Sequence, residues 1–127
     1  MTTRKNITMT NRAPLSIDPA QWSVIARADW HDGREYECQA SRVARILVRR
    51  RATAERTDVL ISGVEDSGPG GAPAGYEAVR AGYLLSRDAQ TGLDAAEIIA
   101  TIRRVADEIG HENLAAACIA DLPAEEI

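Results

Sequence analysis

Residues 22–51, WSVIARADWHDGREYECQASRVARILVRRR, decide the fold. Before the Asp-Gly turn at 32–33, apolar residues occupy the even positions from Trp22 to Trp30, and polar residues occupy most of the odd ones. After the turn the same parity resumes and continues to Val48. Alternation with a period of two is the signature of a strand that buries one face. The stretch therefore predicts two antiparallel strands, at about 21–30 and 34–51.

The turn determines which residues of these strands face each other. A two-residue Asp-Gly loop places polar residues opposite the apolar face, whereas a three-residue loop with a bulge at Gly33 keeps one face apolar. The second register is therefore expected. It pairs residues from opposite sides of the turn: Trp30 with Arg34, Ala28 with Tyr36, and Ala26 with Cys38.

The second half of the long strand is expected to pair forward with a third strand at 58–65. A helix that starts at Ser41 is the alternative for this half, because its apolar residues also fit helical spacing. The β-branched content and the unbroken parity favour the strand. A fourth strand is predicted over 78–86, where apolar residues alternate weakly and Gly82 disfavours the competing helix.

Two helices are predicted to follow. Residues 94–109 carry an apolar stripe at spacings of three and four. Asp94 can cap this helix, with Glu97 three residues on as in a capping box, and Gly110 can end it. A shorter helix is predicted over 112–121. Together these patterns indicate an α+β domain, in which the two helices cover one face of an antiparallel meander of three to four strands.

The remaining segments carry little periodic signal. Residues 1–16 are polar and predict a flexible N-terminal arm, so that residues 17–127 form the single domain. Residues 66–75 contain four glycines and two prolines and predict a flexible loop. The chain has 127 residues, which is enough for a hydrophobic core without metal or disulfide support.

Composition restricts the classes of function. The net charge of −4 argues against general nucleic-acid binding, although a local basic patch stays compatible with it. No stretch has the length or hydropathy of a signal peptide or membrane span, so we expect a cytoplasmic protein. Cys38 and Cys118 fall on apolar faces and predict buried, reduced thiols. Neither forms a metal-binding motif, so no metal or cofactor is expected.

One segment stands out by charge: residues 42–56 carry six arginines against Glu55, whereas residues 94–127 carry eight acids against two arginines. Arg45, Arg49 and Arg51 share one face of this strand, where residues two positions apart are separated by about 7 Å. The segment predicts either a solvated strand paired with the protein's own acids or a binding surface for an anionic partner. The candidate partner-binding residues are Arg42, Arg45, Arg49, Arg50, Arg51, Trp22 and Trp30.

The two tryptophans support both interpretations. The expected register places Trp22 opposite Arg42 and Trp30 opposite Arg34, so each indole can stack on an arginine. The alternative is that both are core residues beneath the long helix.

No catalytic residues are assigned. Cys38 is expected to face inward, and nothing matches a known nucleophile or zinc motif. His31, Asp29 and Asp32 could together ligate a metal. An Asp-Gly turn occurs for backbone reasons, however, and this explains the group of residues without a metal.

The expected function is that of a non-catalytic bacterial protein–protein interaction module or homodimer. Small acidic chains of this kind are typical of accessory factors on mobile elements, which act on host machinery, with anti-CRISPR inhibitors as one case. A single-stranded nucleic-acid-binding protein that uses the arginine-rich strand is the first alternative. An enzyme with an unrecognised site is the second.

Overall fold

A computed structural model describes residues 3–31, 42–67 and 79–123. Within them the chain forms a four-stranded antiparallel sheet in the order β3-β4-β5-β6, a two-stranded sheet of β1 and β2, and two helices. The predicted α+β fold, including the fourth strand and both helices, is confirmed. The element bounds are β1 Lys5–Ile7, β2 Leu15–Ile17, β3 Ser23–His31, β4 Arg42–Ala52, β5 Arg56–Ser67, β6 Val79–Asp88, α1 Ala95–Glu108 and α2 Asn113–Ala120.

Local signals set the ends of α1 as predicted. The Asp94 carboxylate accepts a hydrogen bond from the backbone N–H of Ala96 at 3.0 Å. Gly110 adopts a positive φ of 76°, the left-handed conformation that ends many helices. Glu97 departs from the capping-box expectation, because its carboxylate accepts a hydrogen bond from Arg87 of β6 at 2.7 Å. That contact ties the first turn of the helix to the sheet.

The register of β3 with β4 differs from the expected one. Ala26 pairs with Val48, Ala28 with Ile46, and Trp30 with Ala44. The second half of the long strand therefore pairs on both of its sides, with β3 and with β5. The expected partners Arg34, Tyr36 and Cys38, and the turn at Gly33, lie outside the described residues.

Parity could not distinguish these two registers. The partner of Ala28 moves by ten residues, and an even shift leaves the same side chains on the same face of the sheet. The observed register places the large Ile46 and Val48 beside the small Ala26 and Ala28, and all four side chains are buried. This packing of large side chains beside small ones stabilises the observed pairing.

A β-bulge separates the two tryptophans. Val24 pairs with Arg49 and Ala26 with Val48, so Ile25 is the additional residue. A bulge of one residue reverses the parity on one side of it. Trp30 consequently packs on the helix-covered side of the sheet, whereas Trp22 belongs to a cluster on the opposite side. The prediction that both indoles share one face beneath the long helix is wrong.

The main core lies between the sheet and the two helices. Ile46 and Ile61 from the sheet and Ile102 and Val105 from α1 are all fully buried. The helix approaches β5 closely at Gly63, where an added Cβ would lie 2.5 Å from Cγ1 of Val105. Buried residues of α2 complete the cluster: Leu114, Ala115 and Cys118.

The N-terminal segment forms a hairpin on the other face of the sheet. β1 and β2 pair antiparallel, with Lys5 opposite Ile17. Apolar residues of the hairpin and of the sheet beneath it form a second buried cluster: Ile7, Met9, Ile17, Trp22 and Leu60. The prediction of a flexible arm did not anticipate this hairpin, because strands of three residues are too short to show periodicity.

The tip of the hairpin is fastened to β6. The backbone N–H of Thr10 donates to the carbonyl of Gly82 at 2.9 Å, and the N–H of Gly82 donates to Thr10 Oγ1 at 3.2 Å. A Cβ at position 82 would clash with the carbonyl oxygen of Thr8. The glycine that weakened the helical interpretation of this segment is thus required for the hairpin to approach.

Both edges of the four-stranded sheet are occupied near their middle. Thr10 uses both backbone groups of Gly82 on β6. On β3 the backbone N–H of Arg27 donates to the carboxylate of Asp121 at 2.8 Å. Such contacts block the row of free backbone groups that another strand would need. Among the described strands, edge-to-edge extension is therefore disfavoured as a route to a dimer.

Candidate binding groove

Two arginines of the central strand β4 project from the face of the sheet opposite the helices. Ala44, Ile46 and Val48 point into the main core, so Arg45 and Arg49 point to the other side. The hairpin covers only part of that side. Between β1 and strands β4 to β6 it leaves a cavity of about 150 Å³. We call this cavity the basic groove and define it by five of its lining residues: Lys5, Arg45, Arg49, Ser62 and Arg80.

Arg49 is the most buried cation of the groove. Only 7% of the residue is exposed, and its Nη1 donates to Ser62 Oγ at 3.2 Å. Burial lowers the pKa of Arg49, although an arginine in a protein stays protonated. No carboxylate of the described residues lies within ion-pair distance of it. The groove therefore contains a desolvated positive charge that the described part of the chain does not neutralise.

Arg45 shares its one carboxylate with a second arginine. Arg45 Nε lies 2.5 Å from Asp29 Oδ1, and Arg27 Nε lies 3.0 Å from Asp29 Oδ2. Burial acts to raise the pKa of Asp29, but the hydrogen bonds from Arg45 and Arg27 outweigh it and hold that pKa below its usual value. Two cations thus surround one anion, and this end of the groove stays net positive.

The remaining two cations come from opposite walls. Lys5 belongs to the hairpin and Arg80 to β6, and both are exposed. The side chain of neither residue has a hydrogen bond or ion pair with any described residue. In a protein with a net charge of −4, the groove therefore concentrates positive charge on one surface.

Arg51, another of the predicted arginines, is engaged by a carboxylate of the neighbouring strand. Arg51 shares the face of Arg45 and Arg49, but its Nη2 donates to the buried carboxylate of Asp58 at 2.9 Å. Burial acts to raise the pKa of Asp58, while its hydrogen bonds, first from Ser86 and then from Arg51, bring it below the usual value. Arg51 is therefore committed to an internal ion pair.

Arg50 does not line the groove. Arg50 is exposed and lines a different cavity, on the helix-covered side beside Ile25 and Leu93. Arg42 begins β4 and pairs with Ser67 through its backbone, and its side chain lies outside the described residues.

Neither tryptophan lines the groove. Trp22 stacks on an arginine as predicted, but the partner is Arg51, whose Cζ lies 4.6 Å from the ring centroid, because the register differs from the expected one. Trp30 packs against the ring of His111, with centroids 4.6 Å apart. Both indoles serve internal packing.

Three residues of the groove were not predicted from the sequence. Arg80 carried a usable signal, because its parity in the predicted fourth strand is opposite to that of Ala81 and Tyr83, and this places it on the face away from the helices. Ser62 lies on the same face of β5, but a single serine suggests no role. Lys5 carried no signal, since the hairpin was not predicted.

The described residues offer little for catalysis. Cys118 is fully buried, and burial together with Asp121 raises the pKa of its thiol to about 11, so it is no candidate nucleophile. Asp29 is engaged by two arginines rather than aimed at a metal. No three potential metal ligands cluster within residues 3–31, 42–67 and 79–123. Cys38 and Asp32 lie outside these residues.

Comparison with known proteins gives no independent guide to this groove. The chain matches no protein-family model, no curated protein and no solved structure. Neither helix in the described part of the chain is long and apolar enough to cross a membrane.

Proposed function

We propose that this protein is a non-catalytic, cytoplasmic interaction module whose basic groove binds an acidic segment of a partner protein. The observation that supports the proposal is a concave site with four cations in a protein that is acidic overall. Arg49 is buried there without a carboxylate from the described residues, and Lys5 and Arg80 are equally unengaged. An acidic segment would supply the missing counter-charges.

The groove suits a protein partner better than a single-stranded nucleic acid. Nonspecific single-strand binding combines a long basic track with aromatic rings on which bases stack. Here Trp22 and Trp30 are committed to internal contacts, and no aromatic residue of the described chain lines the groove. The net charge of −4 also opposes the approach of a polyanion, whereas a short acidic segment meets mainly the local field.

A second copy of the chain is one form that this partner can take. Exposed acids lie on and after α1, at Asp107 and Glu112, on the opposite side of the sheet from the groove. Contact between that surface and a neighbour's groove would be head-to-tail, because the two surfaces differ. A host protein inhibited by the module, as an anti-CRISPR inhibitor would act, is the other form.

Charge reversal in the groove tests the proposal. We expect wild-type protein to bind a glutamate-rich peptide with an affinity that falls as salt rises, because the contacts are charged. The double variant Arg45→Glu with Arg80→Glu should bind at least about tenfold more weakly, equivalent to about 1.4 kcal/mol. Fluorescence anisotropy of a labelled peptide provides the measurement.

The matched control is Arg50→Glu with Arg103→Glu, which changes the net charge equally at exposed positions outside the groove. This control should retain most of the affinity. Equal weakening in both double variants would show that only net charge matters and would contradict the proposal. Tighter binding to a single-stranded oligonucleotide than to the peptide, again lost in the groove variant, would favour the nucleic-acid alternative.

A further inference from the structure

The buried charge of Arg49 sets a specific requirement within the groove. Taking a cation out of water without a counter-charge is unfavourable unless other contacts offset the lost hydration. Arg49 is 7% exposed, and its side chain has one hydrogen bond with the described residues, to Ser62 Oγ. A guanidinium has five N–H donors, so the described contacts leave most of its hydrogen-bonding capacity for whatever occupies the cavity.

Ser62 adds a donor at the same place. Its Oγ accepts the hydrogen bond from Arg49, so its own O–H proton is free to point into the cavity. A guanidinium beside a hydroxyl is a suitable arrangement for two oxygens of one oxyanion.

The cavity has the size and surroundings for such a group. Its volume is about 150 Å³, whereas a single water needs at least about 10–15 Å³, so a small oxyanion can be accommodated. Lys5 from the hairpin and Arg80 from β6 line the same cavity on other sides, and both carry unengaged charges. Donors from four strands, β1, β4, β5 and β6, thus surround one small volume.

We propose that Arg49 and Ser62 form the base of an oxyanion site that holds one phosphoryl or carboxylate group, with Lys5 and Arg80 at its rim. The inference rests on the proposed function, since this group would anchor the acidic segment of the partner. It goes further because it assigns one discrete anion, at the base of the groove, to Arg49 and Ser62. Arg49 is the residue on which the site depends most.

The test uses the full chain and two small anions. Inorganic phosphate and acetate are titrated separately at constant ionic strength, with chloride as the balancing anion, and backbone amide shifts are recorded by NMR. We expect saturable shifts at Ser62 and its strand neighbour Gly63, with none at Arg103 on the outer surface of α1. Saturation by phosphate alone identifies a phosphoryl site, and saturation by acetate alone or by both identifies a site that accepts carboxylates.

Variants assign the site to its residues. Arg49→Met, which keeps an unbranched side chain, should weaken anion binding at least about tenfold, and the control Arg50→Met should leave it unchanged. Ser62→Ala supplies a second variant in case loss of Arg49 disturbs folding, and it should weaken binding severalfold.

The failure of this inference is distinguishable from failure of the proposed function. If neither anion gives saturable shifts, or if Arg49→Met and Ser62→Ala both bind as wild type does, the oxyanion site is contradicted. The proposed function still stands in that case if the glutamate-rich peptide binds and Arg45→Glu with Arg80→Glu weakens it. If the peptide also fails to bind, both proposals fail.

Discussion

Replacing Ile102 with alanine is expected to lower the free energy of unfolding by about 2–5 kcal/mol. Ile102 is fully buried at the centre of the contact between α1 and the sheet, in one cluster with Ile46, Ile61 and Val105. The substitution removes apolar surface and leaves a cavity that neighbours from two elements cannot readily fill. Urea denaturation followed by far-ultraviolet circular dichroism measures the change.

Ile99→Ala is the matched control, because it is the same substitution on the same helix. Ile99 is only partly buried and does not pack against the main core. It should cost about 1 kcal/mol or less, since a partly exposed side chain gains less from burial. Equal losses in the two variants would contradict the orientation of α1 described here.

Replacing Gly82 with valine is expected to release the N-terminal hairpin from the sheet. The new Cβ would overlap the carbonyl oxygen of Thr8 and press on Met9, so the two hydrogen bonds between Thr10 and position 82 cannot form as they do now. Amide hydrogen exchange at Ile7 and Ile17 should accelerate at least about tenfold, which corresponds to about 1.4 kcal/mol of lost protection.

The control for Gly82→Val is Ala89→Val, which adds bulk in the exposed turn after β6. It should leave exchange in the hairpin unchanged. Unaltered protection of Ile7 in Gly82→Val would mean that the hairpin does not depend on this close approach. Release of the hairpin also removes Lys5 from the groove, so the same variant should weaken peptide binding.

Local signals explain why the sheet and helices were predictable from the sequence. Alternation identified the faces of β4 and β6. Asp94 and Gly110 marked the two ends of α1. The pairing of β3 was not predictable in the same way, because an even shift in register leaves every face unchanged. The bulge at Ile25 separates Trp22 from Trp30 and coincides with the one apolar odd position between 23 and 29. A single exception in the alternation was not enough to predict a reversal of parity.

The same distinction between local and long-range information applies to the candidate site. Parity was enough to place Arg45 and Arg49 on one face, since side-chain direction in a strand is local. Parity could not show that Arg51 forms an ion pair with Asp58, or that Arg80 and Lys5 line the same cavity as Arg49. Those contacts join residues that are distant in sequence, and the hairpin that supplies Lys5 has too few apolar residues to be recognised from its own pattern.

The groove was thus visible in the sequence only as an excess of arginine. Its shape comes from the hairpin, which covers the apolar cluster around Trp22 and Leu60 and stops beside the charged strands. Its charge comes from Lys5, Arg49 and Arg80, which lack carboxylate partners in the described chain, and from Arg45, which shares Asp29 with Arg27. Both features are needed for a discrete binding site rather than a solvated basic strand.

Site-specific photo-crosslinking in the native host is the measurement that tests the central claim most directly. A photoreactive amino acid replaces Asn6, an exposed, uncharged residue that lines the basic groove, or Ala117, an exposed residue of α2 that does not line it. We predict a covalent adduct with an acidic segment of one protein from position 6, none from position 117, and loss of the adduct when Arg45→Glu and Arg80→Glu are added. Adducts from position 117 alone, or adducts from position 6 that persist after charge reversal, would contradict it.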